Sequence, residues 1–184
     1  MLPEISLNVL DIAQNSISAH ANRIEITIRI QCELHKLYLR IADNGKGMSE
    51  EQVEQVVDPF FTSRTTRKVG LGIPFLKQSA ECTGGSFSIE SKVSKGTIIS
   101  AVYCMDHIDC MPLGAIEDTI YTLVIMNEKI DFIFYYEVDG RSFVFDTKEI
   151  KKIMGDSSMQ NKEVSAFIRS YLKENRMEVD LGQL

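Results

Sequence analysis

Residues 23–31, RIEITIRIQ, set Ile24, Ile26, Ile28 and Ile30 against polar partners with a period of two, and residues 36–43, KLYLRIAD, repeat the pattern with Leu37, Leu39 and Ile41. Side chains along a strand alternate between faces, so each segment predicts a half-buried strand with one apolar side. Residues 32–35 join them, and the two are expected to pair as a hairpin. An apolar sheet face has to be covered by another layer. Residues 4–19 offer that cover, with Ile5, Leu7, Val9, Leu10, Ile12, Ala13 and Ile17 at roughly helical spacing and Pro3 tolerated in the first turn.

Further elements follow the same logic. Ser49 to Gln52 has the form of a capping box opening a short helix to about residue 57. A helix over 71–83 closes at Gly84 and Gly85, and strands are predicted over 86–92 and 97–104. Beyond a turn-rich linker at 107–114, the pattern predicts a helix over 115–126, strands over 130–138 and 141–146 joined by Asp139-Gly140, and helices over 147–154 and 160–175. This second part can form its own subdomain or extend the first.

Charge separates the two parts. The chain of 184 residues carries a net charge of −6; residues 1–104 hold 11 Lys/Arg and 11 Asp/Glu, so all of the acidity lies in residues 105–184. That balance speaks against general binding to nucleic acid or to an anionic membrane. No apolar run approaches the ~18 residues needed to span a bilayer, and the four Cys form no C-x-x-C pair. A cytoplasmic protein is expected.

Four segments carry chemistry. Asp11 and Asn15 lie four residues apart on one predicted helix, which puts carboxylate and carboxamide on one face. An amide oxygen can serve Mg²⁺, which takes its other oxygens from water and phosphate; a carboxylate one turn away can act as a base toward water. An exposed polar stripe is the bland alternative. Asp43-Asn-Gly45-Lys-Gly47-Met48 follows a strand directly, so a carboxylate can accept from an exocyclic amine while bare backbone approaches a flat ligand; a simple tight turn is the alternative. Residues 58–72, DPFFTSRTTRKVGLG, form a loop with Arg64, Arg67 and Lys68 ahead of Gly70-Leu71-Gly72, where backbone N–H groups at a helix start suit a phosphate chain. Phe75 occupies the third glycine position of a dinucleotide fingerprint, which excludes a Rossmann reading. Finally, Lys95-Gly96-Thr97 lies between two strands, either as a plain hairpin turn or with Thr97 as a second contact to a base.

In this order and spacing the four segments resemble the GHKL ATPase superfamily of gyrase B, the chaperone Hsp90, histidine kinases and MutL. The resemblance covers about residues 4–104. It implies an α/β sandwich of the Bergerat type, with a mixed, mostly antiparallel sheet covered by helices on one face, followed by a small α+β appendage at 105–184. It further implies ATP and Mg²⁺ as cofactors, Asp11 as general base and Asn15 as metal ligand. Asp43 would bind the adenine amine, with Gly45, Gly47, Met48 and Thr97 completing the base site. Phe60, Arg64, Lys68, Gly70, Leu71 and Gly72 would belong to a short lid and the phosphate site. The acid is Asp11 where gyrase and MutL have Glu, so the carboxylate stands one methylene further back, and Ser18 replaces a usual Asp. The expected role is a stand-alone regulatory kinase or ATPase acting on a protein partner; the alternatives are an ATP-dependent switch and a scaffold with little phosphotransfer. Homodimerisation is among the options.

Overall fold

The computed structural model describes residues 4–58, 71–155 and 158–183. Twelve elements run in the order α1 (Ile5–Ser18), β1 (Arg23–Gln31), β2 (Lys36–Asp43), α2 (Glu50–Val56), α3 (Gly72–Cys82), β3 (Ser86–Lys92), β4 (Gly96–Cys104), α4 (Ile116–Met126), β5 (Asp131–Val138), β6 (Arg141–Asp146), α5 (Thr147–Met154) and α6 (Lys162–Asp180). Among the described residues no helix is long and apolar enough to cross a membrane.

The six strands form one sheet in the order β3-β4-β2-β1-β5-β6. The predicted hairpin is present, with Ile26 opposite Ile41 and Ile28 opposite Leu39. β1 lies parallel to β5, and the other pairings are antiparallel. The sheet is thus mixed and mostly antiparallel, as the sequence led us to expect. Alternation assigns one face to the core: Ile24, Ile26, Ile28 and Ile30 of β1 join Leu37, Leu39, Ile41, Ile99, Tyr103, Phe132, Phe134 and Tyr136 in a single buried cluster. Helices α1, α3, α4 and α6 add Ile5, Val9, Ile12, Leu76, Ile120, Leu123, Ile168 and Leu172 to it.

The C-terminal strands extend this sheet through the β1–β5 pairing. The linker before α4 also serves α1, because the N–H groups of Ile5 and Ser6 donate to the carbonyls of Pro112 and Leu113 at 3.0 and 2.9 Å. Those are donors that a helix start leaves without intrahelical partners. The predicted capping box at α2 is complete: Ser49 Oγ accepts from the Gln52 N–H and Gln52 Oε1 from the Ser49 N–H. α6 continues past the predicted end at 175 to Asp180. Arg176 pairs with Glu117 and Asp180, and Asp180 accepts from the Tyr136 hydroxyl. A polar stretch that looks like a helix exit from periodicity alone is therefore held in the helix by partners on α4 and β5.

Candidate functional site

α1 crosses the sheet on its buried side, and its C-terminal half lies above the end of β2. Ser16 is buried there and donates from Oγ to Asp43 Oδ2 at 2.7 Å, while the Gly45 N–H donates to Asp43 Oδ1 at 2.8 Å. Each carboxylate oxygen has one fixed donor and retains further acceptor capacity. The Asp43 side chain is thereby oriented before any ligand arrives.

The glycines after Asp43 are there for close approach. A side chain at Gly45 would place its Cβ 2.7 Å from the Ala19 carbonyl oxygen. Gly47 has φ +64, and a Cβ there would collide with the Lys92 carbonyl. The segment is also pinned by β3 and the turn after it: Ser94 N–H donates to the Lys46 carbonyl at 2.7 Å and Met48 N–H to Ser91 Oγ at 2.9 Å. Ser91 Oγ in turn shares a hydrogen bond with Thr97 Oγ1 at 2.9 Å.

Between α1 and these segments lies a cleft of about 210 Å³. Asn15, Asp43, Gly47, Met48 and Thr97 line it together with Ser16, Lys46, Val56, Ile12, Ile73 and Ile99. Ile12, Ile73 and Ile99 give it apolar walls from α1, α3 and β4 beside the Asp43 carboxylate, as suits a flat ligand with an amine at its edge. Asp11 stands one helical turn from Asn15 and is exposed. Its side chain lies against the start of α3, where a Cβ on Gly72 would come within 2.8 Å of Asp11 Oδ2. Leu71 precedes that helix as an exposed N-cap residue.

The structure thus brings Asn15, Asp43, Gly47, Met48 and Thr97 to one cleft, puts Gly45 on the Asp43 carboxylate, and sets Asp11 and Gly72 side by side beside it. Phe60, Arg64, Lys68 and Gly70 lie outside the described residues. Two positions were missed from the sequence. Ser16 interrupts the apolar face of α1, and Ser91 occupies the inward row of β3 after Phe87 and Ile89. A lone serine at an apolar position of a periodic pattern was the available signal for both. Among the described residues no three His, Cys, Asp or Glu side chains gather as a metal site. Asn15 in the cleft offers a neutral side-chain oxygen of the kind Mg²⁺ takes beside water and phosphate.

A two-layer sandwich whose first helix and second strand bring a carboxamide and a doubly held carboxylate to one cleft defines the class: a GHKL-type ATPase domain. Residues 2–106 match the family of Histidine kinase-, DNA gyrase B-, and HSP90-like ATPases, and the chain belongs to that family. It is 32% identical over 92 residues to Sporulation kinase D of Bacillus subtilis and 29% identical over 102 residues to the sensor protein ChvG of Agrobacterium fabrum. These alignments cover 50% and 53% of this chain but only 18% and 17% of those proteins. Among solved structures, the chain is similar to the Aquifex aeolicus MutL ATPase domain complexed with ADP, with TM-score 0.56 and 13% identity over 92% of this chain and 88% of that one. The N-terminal domain of a DNA repair protein gives TM-score 0.59 and 18% identity over 89% of this chain and 56% of that one. At such identities the two structures speak for the fold alone, and the strands and helices beyond residue 106 share in that likeness.

Proposed function

We propose that this chain binds Mg-ATP in the cleft between α1 and the end of β2, and acts as a regulatory kinase or ATPase on a protein partner. The orientation of Asp43 by Ser16 and the Gly45 N–H carries this reading. A carboxylate fixed at both oxygens, beside apolar walls that include Met48, Ile73 and Ile99, suits an adenine whose exocyclic amine donates to it. The ADP held by the similar MutL domain supports the same choice of ligand.

In this reading Thr97 and the Gly45–Met48 segment complete the base site. Asn15 supplies the protein oxygen to Mg²⁺, which when bound would offset charge on the phosphates. The backbone at Gly70, Leu71 and Gly72 and the bases Arg64 and Lys68 would hold the phosphate chain, with Phe60 in the covering loop. Asp11 would orient and deprotonate the attacking water or acceptor hydroxyl from beside Gly72. Residues 1–104 would form the nucleotide module, and 105–184, which carry the net acidity, a surface for a basic partner or a second copy. A cytoplasmic setting goes with it.

One observation favours a second reading, an ATP-dependent switch with slow turnover: the acid is Asp11, one methylene shorter than Glu. Incubation with ATP labelled on the γ-phosphate distinguishes the two. Label transferred to a partner supports the kinase, free phosphate the ATPase, and saturable binding with neither product the switch. No binding at all would refute the assignment.

A further inference from the structure

The helices leave the other face of the sheet uncovered, and that face carries a cavity of about 500 Å³, within the range of small-molecule sites, ~300–1,000 Å³. Its depth comes from Ala42. On this face Ala42 of β2 stands between Glu25 of β1 and Ile98 of β4, and its methyl group leaves a depression between longer neighbours. The lining holds the bases Arg23, Arg40, Lys92 and Lys95 against the acids Glu25, Asp43 and Glu90, a small positive excess. Arg40, half-buried one pair along β2 between Thr27 and Ser100, contributes a guanidinium; Lys92 and Lys95 contribute ammonium groups from the end of β3 and the following turn. Among the described residues none of these three side chains has an ion-pair or hydrogen-bond partner. Arg23 also lines the cavity but is paired with Glu25 at 2.8 Å, which leaves Asp43 and Glu90 as the lining acids without a salt bridge among the described residues.

Among the described residues the three cations without a partner, on β2, at the end of β3 and on the following turn, outnumber the two lining acids without a salt bridge, so the depression keeps a positive excess that an anion would offset. We propose that this cavity binds a compact polyanionic small molecule, carrying two or more phosphate or carboxylate groups, and that occupancy is coupled to the nucleotide cleft. Anion binding here does not depend on the assigned function, since the cations lie on the opposite side of the sheet and do not line the nucleotide cleft, whereas the coupling rests on that reading. An acidic peptide fits less well, because the cations surround a depression rather than run along an edge.

The coupling follows from shared walls. Asp43 and Thr97 border both cavities. The turn bearing Lys92 and Lys95 is bonded to Lys46 through Ser94, and its Lys92 carbonyl lies against Gly47. Drawing both lysines onto an anion therefore moves the backbone that shapes the base end of the cleft. By linkage, whatever factor the anion imposes on nucleotide affinity, the nucleotide imposes on the anion.

The test is titration of inorganic pyrophosphate, without metal, into isotope-labelled full-length protein, following backbone amide shifts with and without saturating ADP. The expected result is a saturable shift of the Thr27, Arg40, Ile98 and Lys95 amides that persists with bound ADP but with a changed midpoint, and an unchanged midpoint would overturn the coupling. Arg40→Gln combined with Lys95→Gln should weaken it about tenfold or more, and the exposed single variant Lys95→Gln should weaken it measurably with the sheet spectrum intact. Failure of ADP to bind would refute the assigned function and leave these shifts as they are. The proposal is overturned by shifts confined to Asn15 and Met48, by affinity unchanged in both variants, or by a hexaglutamate peptide binding these residues more tightly than pyrophosphate.

Discussion

Ser16 and Asp43, one on α1 and the other at the end of β2, are joined by a hydrogen bond of 2.7 Å across 27 residues of sequence. The bond does two things. It locks helix to sheet where the cleft opens, and it leaves the Asp43 carboxylate facing the cleft in one orientation, with the Gly45 N–H on its other oxygen. Removing the carboxylate and removing its support should therefore have different effects. Asp43→Ala is expected to abolish measurable ADP binding in calorimetry while the circular dichroism spectrum is retained. Ser16→Ala, which deletes one charge-assisted hydrogen bond of about 1.5 kcal/mol, should weaken ADP about tenfold.

Asn15 and Asp11 are separable in the same way. Asn15→Ala should reduce the gain in ATP affinity that Mg²⁺ confers, with metal-free binding nearly unchanged; the measurement is a pair of titrations with and without metal. Asp11→Asn keeps shape and loses basicity, so binding should persist while product formation falls by roughly 10²-fold or more. If turnover is unaffected, the base is another group.

Two glycines offer a controlled comparison. Gly84 and Gly47 both have positive φ, but a Cβ at Gly84 meets nothing within 4 Å, whereas one at Gly47 collides with the Lys92 carbonyl. Gly84→Ala should cost about 1 kcal/mol from backbone conformation alone. Gly47→Ala should cost about 3 kcal/mol and weaken nucleotide as well, because the turn against it must shift. Urea titrations of both variants check the contrast.

The ion pair between Arg176 and Glu117 at 2.7 Å ties α6 to α4 with both side chains nearly buried, at 12% and 14% exposure. Deleting Glu117 leaves Arg176 with Asp180 as a remaining acidic partner, so its charge loses part of its compensation. Glu117→Ala is expected to destabilise the fold by roughly 2 kcal/mol, seen as a lower thermal midpoint, while ADP affinity measured well below that midpoint stays the same.

Alkaline pH tests the core. Burial pushes the Tyr103 hydroxyl up, against the opposing effect of its hydrogen bond with Ser79, and burial together with Asp180 pushes Tyr136 up as well. Both phenols are thus held neutral in the folded state. Their contribution to stability is complete below the ordinary tyrosine value of about 10 and is lost as pH rises above it toward the higher folded values. Tyr103→Phe should cost about 1 kcal/mol at neutral pH, since Ser79 keeps the Leu76 carbonyl as a partner. It should also flatten the stability loss above about pH 10, which urea midpoints across that range would reveal.

The elements themselves were legible because each rests on local rules. The isoleucine alternation of β1 sets its buried face whatever lies next to it, Ser49 and Gln52 cap α2 within four residues, and Asp139-Gly140 turns β5 into β6 with both residues at positive φ. Asn15, Asp43 and Thr97 could be picked out as candidates because their residue types sit at fixed offsets from glycines and strand ends, and the fold brings these three to one cleft. Ser16 and Ser91 escaped because a serine on an apolar face acquires meaning only from the group across from it, here Asp43 and the Met48 N–H.

Whether the acidic last eighty residues fold apart or join the first sheet was also beyond local pattern. Periodicity states which side of a strand is apolar, and it does not state which strand will lie beside it. The parallel register of Arg23 with Asp131 through Ile30 with Val138 decided that, because β5 offers an inward row of Phe132, Phe134, Tyr136 and Val138 level with the isoleucines of β1. The sequence by itself determined the strands, the helices and the residues with chemistry to offer. Tertiary structure decided their neighbours, and with them the orientation of Asp43 and the cavity behind it, because both depend on distances between segments that no spacing along the chain encodes.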